Sequence, residues 1–189
     1  MSDAISSSVE AVLDVLAASE GSDYIGEEVN QLEHALQCAH FARSAGASRE
    51  LVLAALMHDI GHLIDPGAPS MDGLGVIEHE RLGADFLRRH GFSETLVRLV
   101  EGHVQAKRYL TLTKPAYAKR LSDASRGTLE WQGGPMSEVE ASAFESDPLF
   151  KPILALRTWD ERAKERELEV WGLESYRPLI EAHLRDHAA

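Results

Sequence analysis

The chain is poor in several things, and each shortage removes a class of answer. Its 189 residues include one cysteine, Cys38. A disulfide framework within the chain and a thiolate metal cluster are therefore excluded, and Cys38 reads as a small buried apolar group. Basic residues are outnumbered, 19 Lys and Arg against 31 Asp and Glu, for a net charge of -12. A field of that sign repels nucleic acid and anionic membrane, so neither is an expected partner. An anionic small molecule is not excluded, because a local basic pocket overrides the global field. Long apolar runs are missing too. The longest, Leu51 to Met57, has seven residues, far short of the ~20 that span a bilayer. The first residues, "MSDAISSSVEAVLDVLAASEG", carry acids and lack the basic start of a secretory signal. A cytoplasmic protein made of one domain, residues 1–189, is the expectation, with no obligate protein partner evident.

Strand signals are also scarce. Alternating β-branched runs are nearly absent, while apolar residues recur at helical spacing almost throughout. The pattern predicts an all-α fold with helices near 4–19, 30–45, 49–62, 76–90, 93–106, 114–122, 137–146, 149–165 and 173–186. Ser137 with Glu140 has the capping-box pattern. Ser48 and Ser93 stand where N-caps belong, and Gly46 and Gly91 where helices stop. Residues 65–75 and 131–135, dense in glycine and proline, read as loops.

What the chain has is an internal echo. Residues 33–58, "EHALQCAHFARSAGASRELVLAALMH", match residues 78–103, "EHERLGADFLRRHGFSETLVRLVEGH", at ten of 26 positions. Each copy reads as helix, glycine stop, serine cap, helix: an αα-hairpin used twice. Shared turn chemistry explains the glycine, serine and leucine matches but not the histidines. His34 and His58 each lie twelve residues from Gly46, and His79 and His103 each lie twelve from Gly91. Residues equidistant from an antiparallel turn sit at one height, here roughly 18 Å away. Each hairpin then brings two imidazoles level, and a pseudo-symmetric pair of hairpins brings four together.

Asp59 follows His58 and has no counterpart in the repeat, where Val104 stands. Successive helical residues diverge by about 100°, so both can serve one ion only near a helix end. A carboxylate has two oxygens and can bridge two metals. Four histidines around one such carboxylate suit a dinuclear site, with Asp160 in "LRTWDERAK" the candidate to complete the shell. An all-N/O donor set suits iron, manganese, cobalt or zinc. His62 lies one turn past His58, and Lys107 one turn past His103. Both are placed to point past the metal layer toward a bound molecule, and a lysine there suits an anion. Alternatively, Lys107 and Arg108 complement the C-terminal end of their helix. His40, His90, His183 and His187 lack such partners; His40 and His90 flank helix ends and are expected to face solvent. No Walker A loop, GxGxxG, GxSxG or HExxH motif is present.

The set His34, His58-Asp59 and Asp160 resembles the HD-domain superfamily, an all-helical metal-binding fold whose members are mostly phosphohydrolases. With His79 and His103 added, the chain resembles its smaller branch of mixed-valent di-iron oxygenases. The similarity is to the short bacterial enzymes that cleave organophosphonates. It runs through "DYIGEEVNQLEHALQCA", "LAALMHDIGH", "EHERLGADFL", "EGHVQAKRYL", "LSDASRGTLEWQGGPM" and "RTWDERAK". The resemblance implies that His34, His58, Asp59 and Asp160 hold one iron, and that His79 and His103 hold the other with Asp59 bridging. It implies a Fe(II)/Fe(III) pair with O2 as co-substrate, and Asp59, His62 and Lys107 at the reacting centre. Tyr24 and Glu27 resemble a mobile lid. His62, Lys107, Ser125, Gln132 and Arg157 correspond to contacts with phosphonate and hydroxyl groups. The implied substrates are (R)-1-hydroxy-2-aminoethylphosphonate and its trimethylammonio relative, giving phosphate with glycine or glycine betaine. Glu27 would meet a primary ammonium, and Tyr24 would offer an aromatic face to a quaternary one. A metal-dependent phosphohydrolase, needing only the HD set, is the alternative.

Overall fold

The computed structural model describes residues 2–24 and 26–188. Ten α-helices occur among them, with no strand: α1 Ser2–Ala17, α2 Gln31–Ser44, α3 Arg49–Met57, α4 His79–Arg89, α5 Glu94–Thr113, α6 Pro115–Arg120, α7 Asp123–Trp131, α8 Glu138–Glu145, α9 Phe150–Arg162 and α10 Arg177–His187. No helix among the described residues is long and apolar enough to cross a membrane.

The doubled hairpin is present. Pairs α2/α3 and α4/α5 pack against each other, α5 and α9 form the centre, and α1 packs with α10. Gly46 and Gly91 take left-handed φ values of 72° and 81°, which glycine adopts without a Cβ penalty. Ser48 and Ser93 then accept from Leu51 N–H and Leu96 N–H as N-caps. Asn30 caps α2 with a full capping box through Glu33, as Ser137 does for α8 through Glu140. One core runs through the fold, from Val12, Leu13 and Leu16 to Leu53, Leu56, Leu96, Val100, Leu156 and Ile180. Cys38 lies in it, fully buried.

The differences from the predicted boundaries have local causes. The helix expected over 49–62 ends at Met57. Asp59 sits at φ -101°, ψ 9°, and a short 3-10 turn, Ile60–His62, follows. The regular helix therefore stops where the ligand pair begins, and His58 and Asp59 escape the helical divergence. The helix expected from residue 76 starts at His79, because Glu78 is left-handed at φ 54°. Helix α5 continues two turns beyond residue 106. The Thr111 and Thr113 hydroxyls donate to the Lys107 and Tyr109 carbonyls, and Pro115 ends the run. Lys107 is thus well inside its helix and complements no helix end. Helix α7 has no counterpart among the predicted helices. The C-terminal helix begins at Arg177, after a 3-10 turn, Leu173–Tyr176. His40 lies within α2 and is half-buried rather than facing solvent at a helix end, and His90 is also half-buried, donating to the Phe86 carbonyl.

One glycine sets the distance between the hairpins. A Cβ on Gly61 would lie 1.8 Å from the His79 carbonyl oxygen. Only glycine lets the turn carrying Asp59 and His62 lie directly on the start of α4.

Candidate metal centre

Four imidazoles converge as the hairpin arithmetic requires. His34 Nε2 is 3.1 Å from His58 Nε2, and His79 Nε2 is 3.1 Å from His103 Nε2. All four rings are buried. The far nitrogens fix the tautomers. His34 Nδ1 lies 2.8 Å from the Ala163 carbonyl, His58 Nδ1 2.9 Å from Ala55, and His103 Nδ1 2.6 Å from Val100. A carbonyl only accepts, so these nitrogens carry the protons and turn bare Nε2 lone pairs inward. His79 Nδ1 stands 3.4 Å from Glu80 Oε2. Lone pairs facing each other at 3.1 Å repel unless a cation lies between them.

Asp59 stands between the two pairs and divides its oxygens. Oδ2 is 3.7 Å from His34 Nε2 and 3.4 Å from His58 Nε2, while Oδ1 is 3.5 Å from His79 Nε2 and 3.4 Å from His103 Nε2. Asp160 Oδ1 adds 3.5 and 3.8 Å separations to His34 and His58. Such spacings match polyhedron edges for metal–ligand bonds of about 2.0–2.2 Å. One nest offers two nitrogens and two oxygens; the other offers two nitrogens and one oxygen, leaving more positions open. Burial would raise both carboxyls, yet neighbouring imidazoles, and Arg157 beside Asp160, hold them well below the usual range. The donor set is all nitrogen and oxygen, anionic and convergent, and it fits two divalent or trivalent cations.

A cavity of about 220 Å³ opens on this centre. His62 lines it, stacked on His79 at 3.8 Å. Its Nδ1 accepts the Val76 N–H at 3.0 Å, so the neutral ring carries its proton on Nε2. Burial lowers its pKa to about 4, which keeps it neutral. Asp59, His62 and His79 also lie at ligand spacing, but an N–H nitrogen is a donor to a bound group, not a metal ligand. Lys107 is 4% exposed. Its Nζ donates to Thr128 Oγ1 at 2.5 Å and to Gln132 Oε1 at 2.9 Å. Burial, aided by Arg157, brings its pKa down to about 7.

The remaining expected contacts are also cavity-lining: Tyr24, Glu27, Ser125, Gln132 and Arg157. Their surroundings qualify their roles. Arg157 Nε donates to Tyr117 Oη at 2.9 Å, and its terminal nitrogens pair with Asp160 and Glu161. Its guanidinium is thus shared among Tyr117, Asp160 and Glu161. Tyr24 stacks on His34 at 3.9 Å, and Glu27 pairs with Lys164 at 2.6 Å. Ile25, between them in the supposed lid, lies outside the described residues. Sequence reasoning missed Thr128, Tyr117 and Lys164. The signal for Thr128 was the spacing of Ser125, Thr128 and Gln132, one face of a helix.

The HD domain family model matches residues 32–140. The [1-hydroxy-2-(trimethylamino)ethyl]phosphonate dioxygenase (glycine-betaine-forming) of Leisingera caerulea is 40% identical over 166 residues, 87% of this chain and 84% of that one. The hydroxymethylphosphonate dioxygenase of Gimesia maris is 39% identical over 171 residues, 89% and 85% of the two chains. An uncharacterised protein of Acanthamoeba polyphaga mimivirus is 39% identical over 180 residues, 94% and 82%. The chain belongs to the HD-domain family, in the branch that contains these phosphonate dioxygenases.

Proposed function

We propose that this chain, acting as one catalytic domain, is an oxygenase that cleaves the carbon–phosphorus bond of a 1-hydroxyphosphonate with O2. The observation that carries the reading is the second histidine pair, His79 and His103, facing the second oxygen of Asp59. A hydrolase using only the HD set has no need of it. In the proposed reaction the C1–H and C1–P bonds break. A new C–O bond makes a carboxylate, a new P–O bond makes phosphate, and C1–H leaves as a proton.

His34, His58, Asp59 and Asp160 would hold one iron, and His79, His103 and Asp59 the other, as a Fe(II)/Fe(III) pair. When bound, the irons supply Lewis acidity for the hydroxyl and phosphonate oxygens and electrons for O2. The protein does the rest. Lys107 and the Nε2–H of neutral His62 donate to phosphonate oxygens through charge-assisted and ordinary hydrogen bonds. Ser125, Thr128 and Gln132, on one face of α7 and its end, orient the same group. Arg157 keeps Asp160 fixed. The stack of Tyr24 on His34 covers one side of the cavity and limits water. The substituent on C1 is an aminomethyl group, a trimethylammoniomethyl group, or hydrogen as in hydroxymethylphosphonate.

Anaerobically purified, iron-loaded protein tests this. Phosphate should appear from a 1-hydroxyphosphonate only when O2 is admitted, with a carboxylate as co-product. Phosphate release without O2 consumption points to the phosphohydrolase and sinks the oxygenase reading.

A further inference from the structure

Three of the four converging histidines turn Nδ1 to a neutral backbone carbonyl: His34 to Ala163, His58 to Ala55 and His103 to Val100. His79 is the exception. Its Nε2 faces His103 Nε2 at 3.1 Å, so Nδ1 is the nitrogen left to carry the proton. That Nδ1 is buried and has no hydrogen-bond partner among the described residues. Glu80 Oε2 lies 3.4 Å from it, and it too is buried without a partner. Buried polar atoms are rarely left so. One atom lacks an acceptor, the other lacks a donor, and they face each other. The gap is only about 0.5 Å longer than a usual N–H···O hydrogen bond. Glu80 makes no ion pair with a lysine or arginine among the described residues; His79 is its one cationic-capable neighbour within salt-bridge reach.

The charges of the two nests give this pairing a purpose. The nitrogens of His34 and His58 have two carboxylates beside them, Asp59 through Oδ2 and Asp160 through Oδ1. The nitrogens of His79 and His103 have Asp59 Oδ1 alone, and the cationic Lys107 lines the same cavity. Glu80 supplies a further negative charge to this nest through the imidazole ring. A carboxylate on the far nitrogen fixes a ligand ring and makes it a stronger donor. Glu80 also stands in the first turn of α4, where an acid complements the helix dipole. That role explains a charge there but not the facing pair of unpartnered atoms.

We propose that Glu80 is a positioning residue for the second metal: its carboxylate accepts the Nδ1–H of His79, orients that ring, and tightens the hold of the His79–His103 nest on its cation, most of all a trivalent one. The inference rests on the two-iron reading above.

The test is a chelator competition on anaerobic, iron-loaded protein with the iron counted, so no turnover is required. Glu80→Gln keeps the size and an acceptor oxygen but removes the charge. Glu80→Asp keeps a charge at the start of α4 but draws it back from Nδ1. In both variants one of the two irons should leave at roughly 10- to 100-fold lower chelator concentration than in wild type, and the other should leave as in wild type. Adding Glu80→Gln to His103→Ala should change nothing, because the remaining iron belongs to the other nest. The midpoint potential of the pair, followed by electron paramagnetic resonance, should move positive in Glu80→Gln, since the ferric ion loses an anionic partner. Unchanged retention and potential in Glu80→Gln overturn the proposal. Wild-type behaviour of Glu80→Asp reduces Glu80 to a helix charge and overturns it too, as does equal loosening of both irons, the mark of a general folding effect. A single iron in wild type refutes the two-iron reading and this inference with it. The expected retention pattern without O2-dependent phosphate release refutes the oxygenase chemistry and leaves the role of Glu80 standing.

Discussion

Replacing Lys107 by methionine should make the protein more stable in acid and nearly useless as an enzyme. Burial brings Lys107 from the usual 10.5 to about 7. Its charge is therefore costly in the folded state, by at most about 5 kcal/mol. Because the folded pKa lies below the unfolded one, stability rises with pH between about 7 and 10.5. The full cost applies below about 7, and at pH 9 roughly 2 kcal/mol of it remains. Lys107→Met removes the charge but leaves Thr128 Oγ1 and Gln132 Oε1 without their donor, which costs ~1–3 kcal/mol. The variant's advantage over wild type should accordingly shrink by about 3 kcal/mol between pH 6 and pH 9. Urea unfolding at the two pH values measures this. Loss of the charged donor to phosphonate should lower kcat/KM by roughly 30- to 1000-fold, the equivalent of ~2–4 kcal/mol. A stability difference that does not change with pH, or unchanged kcat/KM, refutes the placement of Lys107 as a buried anion donor.

Other perturbations separate the parts of the site. His103→Ala should lose the metal of the three-donor nest and O2-dependent turnover while retaining the metal at His34, His58 and Asp160; metal analysis shows one ion left. Gly61→Ala forces a methyl into the His79 carbonyl, 1.8 Å away, and should cost about 3 kcal/mol or more by thermal unfolding. Arg157→Met leaves Asp160 short of its partner and should weaken metal retention in a chelator competition, with folding intact.

The convergence of the four histidines at the candidate metal centre was legible in the sequence because hairpin symmetry is a matter of counting. Equal twelve-residue arms put His34, His58, His79 and His103 at one height, and the missing counterpart of Asp59 marked it as the carboxylate that stands between the two pairs. Helix boundaries were legible where capping chemistry is local, as at Ser48, Ser93 and Ser137. Helix α7 was not, because its segment "DASRGTLEW" has few apolar residues and forms on a Ser122 cap. The end of α3 at Met57 was hidden for a different reason. Apolar periodicity continues into Ile60, and the break comes from contact with α4 through Gly61. The resemblance implies Arg157 as a substrate contact; its partners Tyr117, forty residues away in sequence, and Asp160 are not legible from that segment alone. The Glu27–Lys164 pair joins residues 137 apart, and no local pattern announces it.

The central claim is that two histidine pairs share one carboxylate and so hold two coupled metals. Electron paramagnetic resonance on anaerobic, half-reduced protein, with iron counted in the same sample, tests it most directly. Two irons per chain with one spin-coupled signal, altered by a 1-hydroxyphosphonate, is the predicted result. One iron per chain, or two irons without coupling, contradicts it.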